Sequence, residues 1–249
     1  MSVMLMILAA FFLPLFPATM AFSRLAAGTR PLIARLALFL VWPQIGVFLI
    51  LWGELEPGSV LATWAVLSAV FYAFRMLTVR EVGRWSAMLA ASAWPLIWLY
   101  VMQGPTAADL VMVTLALTAA PLLMLLVRDA LASRLEAAYT GLHGGLARDL
   151  PRLSGIIVIV TLAAMALPVF PGFFALLALL SSATLGIAIG ILLTWLLWSW
   201  AGARLLQGTV LGPRSGPVAA DLSAIRAWLL SGLIVAIVAA GLIWNGGAL

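Results

Sequence analysis

The chain has 249 residues, of which 65% are hydrophobic and only 8% are charged, and its mean hydropathy is +1.21. Soluble domains carry roughly 25% charged residues, so this composition excludes a water-soluble domain and predicts an all-α, multi-pass membrane protein. The net charge of +5 comes from arginines scattered singly between apolar segments, and this excludes a nucleic-acid-binding patch in the sequence.

Eight apolar runs follow one another along the chain, and most approach the length of about 20 residues that a transmembrane helix needs. The runs are 3–21, 36–52, 60–74, 85–102, 110–127, 153–180, 184–203 and 227–244. We predict one transmembrane helix in each run. The first run is as hydrophobic as a signal peptide, but no positive charge precedes it and no cleavage site ends it, so we expect a retained helix.

The basic residues, all thirteen of them arginines, test these segments independently of hydropathy. They fall only in the first, third, fifth and seventh loops: Arg24, Arg30, Arg35, Arg75, Arg80, Arg84, Arg128, Arg134, Arg148, Arg152, Arg204, Arg214 and Arg226. The only charged residues of the second and fourth loops are acidic: Glu54, Glu56 and Asp109. Because arginine-rich loops stay in the cytoplasm, this distribution predicts cytoplasmic odd-numbered loops, both termini outside, and a bacterial-type inner membrane.

Two segments next to the arginine-rich loops are unusual. Arg75 ends the third run early, so its side chain must extend toward the inner headgroups for that helix to cross the bilayer. The long fifth loop, 128–152, predicts a short amphipathic segment that includes Arg128 and Glu136, followed by a glycine-rich turn. Such a segment suits the membrane interface or a cytoplasmic partner.

The sixth run, 153–180, is too long for a single straight helix. Its 28 or so residues make roughly 42 Å of helix, whereas the hydrocarbon core is about 30 Å thick. Pro168, Pro171 and Gly172 interrupt the run. One interpretation is a single helix broken at membrane depth, an arrangement that often lines ion sites. The other is a short outer loop between two helices, and the sequence does not choose between them.

Candidate catalytic and metal-binding groups are few. His143 is the only histidine, and it lies beside Gly144 and Gly145 in the fifth loop, where a loop or capping role is favoured over a metal site. Glu54 and Glu56 fit a solvated outer turn. The sequence has no cysteine, phosphate-binding glycine loop or nucleophile motif, and it predicts neither catalytic residues nor a cofactor or metal.

The middle of each apolar run lacks Asp, Glu, Lys and His, the residue types that usually mark proton and ion paths in a membrane. Thr114 and Thr118 are polar residues at depth whose hydroxyls can join helices by hydrogen bonds. A hydroxyl does not gain or lose a proton near neutral pH, so these residues cannot act as a proton relay. Gly186 and Gly190 form a GxxxG pattern in the seventh run, and this pattern predicts close helix packing.

Two stretches of the second half resemble the motifs of one family. GGLARDLPR follows His143, and LPVFPGFF follows one apolar stretch later. The residues that carry the likeness are Gly144, Gly145, Arg148 and Pro151 in the loop, and Pro168, Pro171, Gly172 and Phe173 in the broken helix. They are similar to the GGLAxxxP and LPGxxGF patterns of the antiporter-like family, which includes proton-channel subunits of respiratory complex I, Mrp antiporters, membrane-bound hydrogenases and inorganic-carbon-uptake membrane subunits.

The resemblance covers about 110 residues, from about Tyr139 onward. It divides the chain into 1–130, membrane helices without a family motif, and 131–249, antiporter-like helices with the preceding cytoplasmic loop. In the family this loop is cytoplasmic and the next helix is broken, so the resemblance implies both features here. Eight helices with both ends outside fit the C-terminal part of such a subunit.

The sequence departs from the family at the positions that move protons. The family places a lysine or glutamate just after the GF of the broken helix, where Leu176 and Leu177 stand here. The preceding helix normally carries histidine and lysine, and the run 110–127 has neither. The resemblance therefore implies an accessory subunit that packs and seals within a proton- or ion-translocating complex, whether respiratory, hydrogenase-like or coupled to inorganic-carbon uptake.

The partners implied are the lipid bilayer, other membrane subunits including a full-length antiporter-like subunit, and a cytoplasmic soluble subunit. An alternative is an independent carrier of a small solute, with Pro43, Pro95, Pro121 and the 168–172 break along its path. Carriers are commonly built from inverted repeats, and no internal repeat is visible in the sequence. An intramembrane enzyme would need a histidine, acid or cysteine at depth.

Overall fold

The computed structural model describes residues 2–142, 144–212 and 219–246. The described residues are 78% helical and form no strand beyond an isolated bridge between Glu81 and Tyr139. The helices are α1 (Ser2–Phe12), α2 (Thr19–Gly28), α3 (Leu32–Trp52), α4 (Ser59–Met76), α5 (Val82–Ala93), α6 (Ile97–Val101), α7 (Ala107–Leu135), α8 (Leu146–Asp149), α9 (Pro151–Ala164), α10 (Pro171–Ser181), α11 (Leu185–Thr209) and α12 (Ala224–Gly246). A 3₁₀ turn, Trp94–Leu96, joins α5 to α6.

Each of the eight apolar runs contains helix. Five of the described helices, α3, α4, α7, α11 and α12, are long and apolar enough to cross a membrane. The other runs consist of shorter helices in succession: α1 and α2, α5 and α6, and α9 and α10. The chain is thus an all-α polytopic membrane protein, as the composition predicts, whereas the number of crossings and the side of each terminus stay predictions.

The first run is not one continuous helix, and the prediction of a single helix over 3–21 is wrong in this respect. The first helix ends at Phe12 and the second begins at Thr19. Pro14 and Pro17 lie between them, and each lacks a backbone donor and clashes with the preceding helical turn. The surrounding residues are uniformly apolar, so hydropathy alone does not show the interruption.

The arginine-rich loops lie together at one end of the bundle. The amide of Thr140 in the fifth loop donates to the carbonyl of Arg80 in the third, at 2.8 Å. The amide of Gly141 donates to the carbonyl of Gly208 at the end of α11, at 2.7 Å. Arg24 of the first loop lines a cavity that residues of the third and fifth loops also line. The odd-numbered loops therefore share one end, and the side of the membrane on which it lies stays a prediction.

The amphipathic segment expected at the start of the fifth loop is instead the last part of α7. This helix continues past the apolar run to Leu135, and Glu136 ends it with a left-handed φ of 59°. Arg134 donates to the carbonyl of Ala130 one turn earlier at 3.0 Å, so the side chain satisfies a carbonyl near the helix C-terminus. The fifth loop is correspondingly shorter than the sequence suggests.

Aromatic side chains fill the centre of the bundle. Trp85, Trp94, Trp98, Phe22 and Phe39 are fully buried. The rings of Phe22 and Trp94 meet edge to face with centroids 4.7 Å apart, a geometry that adds to simple area burial. Around this core α3 packs on α7, and α4 packs on both α5 and α11.

Candidate functional site

The interruption of the sixth run lies at mid-depth in the bundle. Residues 165–170 separate α9 from α10. The indole nitrogen of Trp195, near the middle of α11, donates a 2.9 Å hydrogen bond to the carbonyl of Met165. At the other end of the interruption, a Cβ on Gly172 would lie 3.9 Å from the carbonyl oxygen of Ala116, which is well inside α7. The interruption therefore packs against α7 and α11 on one side, whereas Pro168 and Val169 are exposed on the other.

The direction of α10 decides between the two interpretations of this run. The side-chain amide of Gln103, in the loop between α6 and α7, donates to the carbonyl of Ala178 near the end of α10 at 3.3 Å. That loop lies at the opposite end of the bundle from the arginine-rich loops. The helix α10 thus continues from mid-depth toward the end of the bundle opposite the arginine-rich loops, in the direction that α9 began. The run is one broken helix, and the outer-loop interpretation is wrong.

The motif residues of the broken helix have different surroundings. Pro171 is the first residue of α10, where its missing amide costs no hydrogen bond. Its ring packs on α12 at Gly241, where a Cβ would lie only 2.7 Å from Cγ of the proline. The ring of Phe173 meets Trp195 edge to face at 5.7 Å. Pro168 is exposed at the interruption.

Neighbouring side chains close the first interruption, residues 13–18. Ser68 of α4 accepts a hydrogen bond from the amide of Phe16 at 3.0 Å, and Trp64 donates to the carbonyl of the same residue at 2.9 Å. Trp98 of α6 donates to the carbonyl of Leu13 at 3.2 Å. Irregular backbone at depth needs such partners because lipid supplies none. These carbonyls are therefore occupied and do not face an ion path.

Two pairs of polar side chains in the core, Trp198 with Ser92 and Trp94 with Thr118, are joined by hydrogen bonds. Trp198 donates from Nε1 to Oγ of Ser92 at 2.9 Å, and the Ser92 hydroxyl donates to the carbonyl of Ala69 at 2.8 Å. Trp94 donates from Nε1 to Oγ1 of Thr118 at 3.1 Å, and that threonine hydroxyl donates one turn back along α7. These groups are neutral and do not titrate near neutral pH. They join helices and offer no relay.

The centre beside the broken helix is apolar and nearly filled. Leu176, which stands where the family carries a charge, is fully buried. A void of about 10 Å³ lies between Pro121, Gly172 and Trp198, and this is room for about one water. Its other lining residues are alanines and leucines, so no ionisable side chain of the described chain lines this void.

The glycine-rich loop motif docks at the arginine-rich end, away from the broken helix. Gly145 has a φ of 71°, which favours glycine, and its amide donates to the carbonyl of Leu211 at 3.1 Å. Arg148 is exposed, and Pro151 is the first residue of α9. His143 lies outside the described residues. The structure therefore does not bring the two family motifs into one site.

The residue that caps the start of α9 was not predicted from the sequence. Leu150 precedes α9 and has no side-chain acceptor for the free amides of its first turn. Asp221, distant in sequence, supplies it: its carboxylate accepts from the amides of Arg152 at 2.9 Å and Leu153 at 3.2 Å. A helix start without a capping residue was the available signal that a cap comes from elsewhere.

The two glycines of the GxxxG pattern, Gly186 and Gly190, have different surroundings in the fold. A Cβ on Gly190 would overlap the side chain of Val66, so this glycine lets α11 approach α4 closely. Gly186 is exposed and has no described atom within 4 Å of a Cβ position. Only one glycine of the predicted pair thus lies at a close contact between described helices.

A cavity of about 620 Å³ opens at the arginine-rich end, between α2, α3, α5 and α7. We call it the arginine cavity. Its charged lining residues are Arg24, Arg35, Arg75, Arg84, Arg128, Glu81 and Glu136. They come from separate loops and helix ends, so no local pattern in the sequence announces them. Arginines that are scattered along the chain are gathered by the fold.

Solved structures share this architecture. A chain of respiratory complex I from Thermus thermophilus matches with a TM-score of 0.79 and 22% identity, over 94% of this chain and 52% of that one. A chain of the Mrp complex from Dietzia sp. DQ12-45-1b matches with a TM-score of 0.72 and 16% identity, over 95% and 55%. The chain has the antiporter-like fold.

The antiporter-like fold also appears in a chain of the membrane-bound sulfane sulfur reductase, an archaeal respiratory membrane complex, with a TM-score of 0.73, 20% identity and coverage of 95% and 52%. Because the coverage is nearly complete, the shared fold extends well into residues 1–130, where the sequence shows no family motif. The chain spans about half the length of the solved chains it matches. No protein-family model and no curated protein matches it.

Proposed function

We propose that this chain is an antiporter-like membrane subunit of a larger ion-translocating complex, and that it packs and seals within the bilayer without relaying protons itself. The observation that carries this proposal is a broken helix kept at mid-depth beside apolar and neutral side chains only, among the residues that the structure describes. A relay needs groups that take up and release protons. A full-length antiporter-like subunit next to this chain supplies those groups.

The packing at the centre supports a sealing role over the carrier alternative. A carrier needs a solute-sized path between its helices, and the void beside Pro121 and Gly172 holds about one water. The first interruption is closed by indole and hydroxyl groups of α4 and α6. Both features oppose the passage of solute or ions through this chain.

The exposed apolar surface of α12 supports the inclusion of this chain in a complex. Only 11% of the apolar window of α12 is buried within the chain. Its exposed apolar side chains include Ile225, Trp228 and Leu229. Such a helix is covered in the membrane by lipid or by a neighbouring membrane subunit, and the second arrangement fits the multi-subunit complexes in which the fold occurs.

The orientation follows from the positive-inside rule. The arginine-rich end faces the cytoplasm of a bacterial-type inner membrane, where a soluble subunit of the complex can dock against the glycine-rich loop and α8. The complex is respiratory, hydrogenase-like or coupled to inorganic-carbon uptake, and the proteins recovered with the chain distinguish these classes.

The test is recovery of the tagged chain from its native membrane in a mild detergent, followed by mass spectrometry of the proteins that accompany it. We expect a full-length antiporter-like subunit and soluble subunits of one complex in constant proportion to the chain. Recovery of the chain by itself, as a monomer or a homo-oligomer, would contradict the proposal and favour the carrier alternative.

A further inference from the structure

The arginine cavity carries more positive than negative charge. Five guanidinium groups and two carboxylates line it, which leaves an excess of three positive charges. The cavity lies at the helix ends of the bundle, beside the arginine-rich loops. Like charges this close repel one another unless an anion compensates them.

Glu81 does not accept hydrogen bonds from the guanidinium groups of the cavity. Glu81 caps α5, since its oxygens accept hydrogen bonds from the amides of Gly83 and Arg84 at 3.0 and 2.6 Å. Arg128 approaches the same carboxylate only to 3.5 Å, and its buried Nε has no hydrogen-bond partner. The two groups thus form an ion pair without a direct hydrogen bond. A buried donor without an acceptor is costly, and the described residues supply none to this nitrogen.

A second arginine at the base of the cavity is held in place. Arg35 is only 7% exposed, and its Nε and Nη2 both donate to the carbonyl of Thr29, at 3.1 and 2.7 Å. Its Nη1 has no hydrogen-bond partner among the described residues. The guanidinium is thus fixed by one edge while its remaining donor stays available, which is a preorganised arrangement for an anion.

The other three arginines are exposed around the opening. They are Arg24, Arg75 and Arg84. No described residue accepts a hydrogen bond from their side chains, and the guanidinium of Arg75 lies 5.9 Å from the centre of the Phe71 ring. The unbonded donors of Arg35 and Arg128 at the base, with three exposed cations around the opening, form a site that draws an anion inward.

We propose that the arginine cavity binds a phosphate group, carried by an anionic phospholipid headgroup or by a soluble phosphate compound. Guanidinium groups bind phosphate oxygens in pairs, and basic pockets between transmembrane helices on the cytoplasmic side bind anionic headgroups. The apolar lining residues Phe39, Ala87 and Met88 suit the glycerol and upper acyl carbons of a lipid better than an acidic peptide. This inference stands independently of the proposed function.

The experiment measures the thermal unfolding midpoint of the purified full chain in a neutral detergent. Phosphatidylglycerol, phosphatidylcholine, inorganic phosphate or a polyglutamate peptide is added in separate arms. The test variant is Arg84→Gln with Arg128→Gln. The matched control is Arg204→Gln with Arg226→Gln, which removes the same charge from exposed positions outside the cavity.

We expect phosphatidylglycerol to raise the midpoint of the wild type and of the control well above the effect of phosphatidylcholine. In the test variant this shift falls to about a third of the wild-type shift or below, because two charge-assisted donors are lost. A shift with inorganic phosphate as well supports the site and identifies a soluble ligand as sufficient; a shift with the lipid alone supports it and identifies the headgroup.

Equal shifts with both lipids and none with phosphate would overturn the proposal, as would an unchanged phosphatidylglycerol shift in the test variant. A larger shift with polyglutamate than with either phosphate compound would replace it with an acidic protein partner. If the double variant does not fold, Arg84→Gln alone decides, because that side chain is exposed and makes no hydrogen bond to a described residue. Its phosphatidylglycerol shift then falls below that of Arg204→Gln.

Discussion

The indole nitrogen of Trp198 lies 2.9 Å from the hydroxyl oxygen of Ser92 and donates a hydrogen bond to it. Because Ser92 in turn donates to the carbonyl of Ala69, one serine joins α11, α5 and α4 at the centre of the bundle. All of these groups are buried and neutral, so the contact holds helices together where a proton path would need a titratable group.

Replacement of Ser92 by alanine leaves the buried Trp198 nitrogen without an acceptor. We expect the free energy of unfolding in detergent to fall by about 1–3 kcal/mol, the usual cost of an unsatisfied buried donor. Trp198→Phe, added to the Ser92→Ala variant, removes that donor and should recover part of the lost free energy of unfolding. Ser181→Ala is the control, because that exposed hydroxyl bonds only to Ala178 three residues earlier. Equal losses in the two serine variants would refute the role of this contact.

The close approach of α11 to α4 depends on a single glycine. An alanine at Gly190 would overlap Val66, so we expect Gly190→Ala to lower the free energy of unfolding by about 1–3 kcal/mol, as overpacking usually does. Gly186→Ala meets open space and should change it by less than about 1 kcal/mol. A reversed order, measured by thermal unfolding of both variants, would contradict the close packing of α11 on α4 through Gly190.

The carboxylate of Asp221 holds the start of α9. We predict that Asp221→Ala costs about 1–2 kcal/mol of unfolding free energy, because two first-turn amides lose their acceptor. The same variant should be cut faster by protease in the segment before α12, since the clamp on that segment is gone. Glu56→Ala, an exposed acid at the other end of the bundle, serves as the control and should match the wild type in both assays.

The absence of cysteine makes the orientation directly measurable, because any introduced thiol is the only one in the chain. Glu56→Cys and Leu142→Cys place exposed thiols at opposite ends of the bundle. In intact spheroplasts a membrane-impermeant maleimide should label the thiol at position 56 and reach the one at 142 only after permeabilisation. Labelling in the reverse order would place the arginine-rich loops outside.

Much of the fold follows from composition and proline placement. An interruption of the sixth run was predicted from Pro168, Pro171 and the excess length of the run, because both signals are local, whereas the choice between a broken helix and an outer loop needed the structure. The equally real interruption at Pro14 and Pro17 was missed, since the first run has an ordinary length and an unbroken apolar character. Proline marks a break reliably only where length or charge gives a second reason to look for one.

The site features that the sequence does not reveal all depend on tertiary contacts. Arg35 and Arg128 are far apart in the chain, and only the packing of α3 near α7 brings them to one cavity. Likewise Gly186 and Gly190 are equivalent in a pattern, and the position of Val66 alone separates them. Burial of Leu176 is a consequence of packing as well, whereas its lack of charge was already evident from the sequence.

The most direct test of the central claim is proton permeability of liposomes that contain the purified chain alone, measured with a pH-sensitive dye under an imposed potential. If the centre around Leu176 and Thr118 is sealed, the flux should equal that of protein-free liposomes of the same composition. A flux clearly above that background, abolished by a single substitution such as Thr118→Ala, would show that the chain conducts protons by itself and would contradict the proposed role.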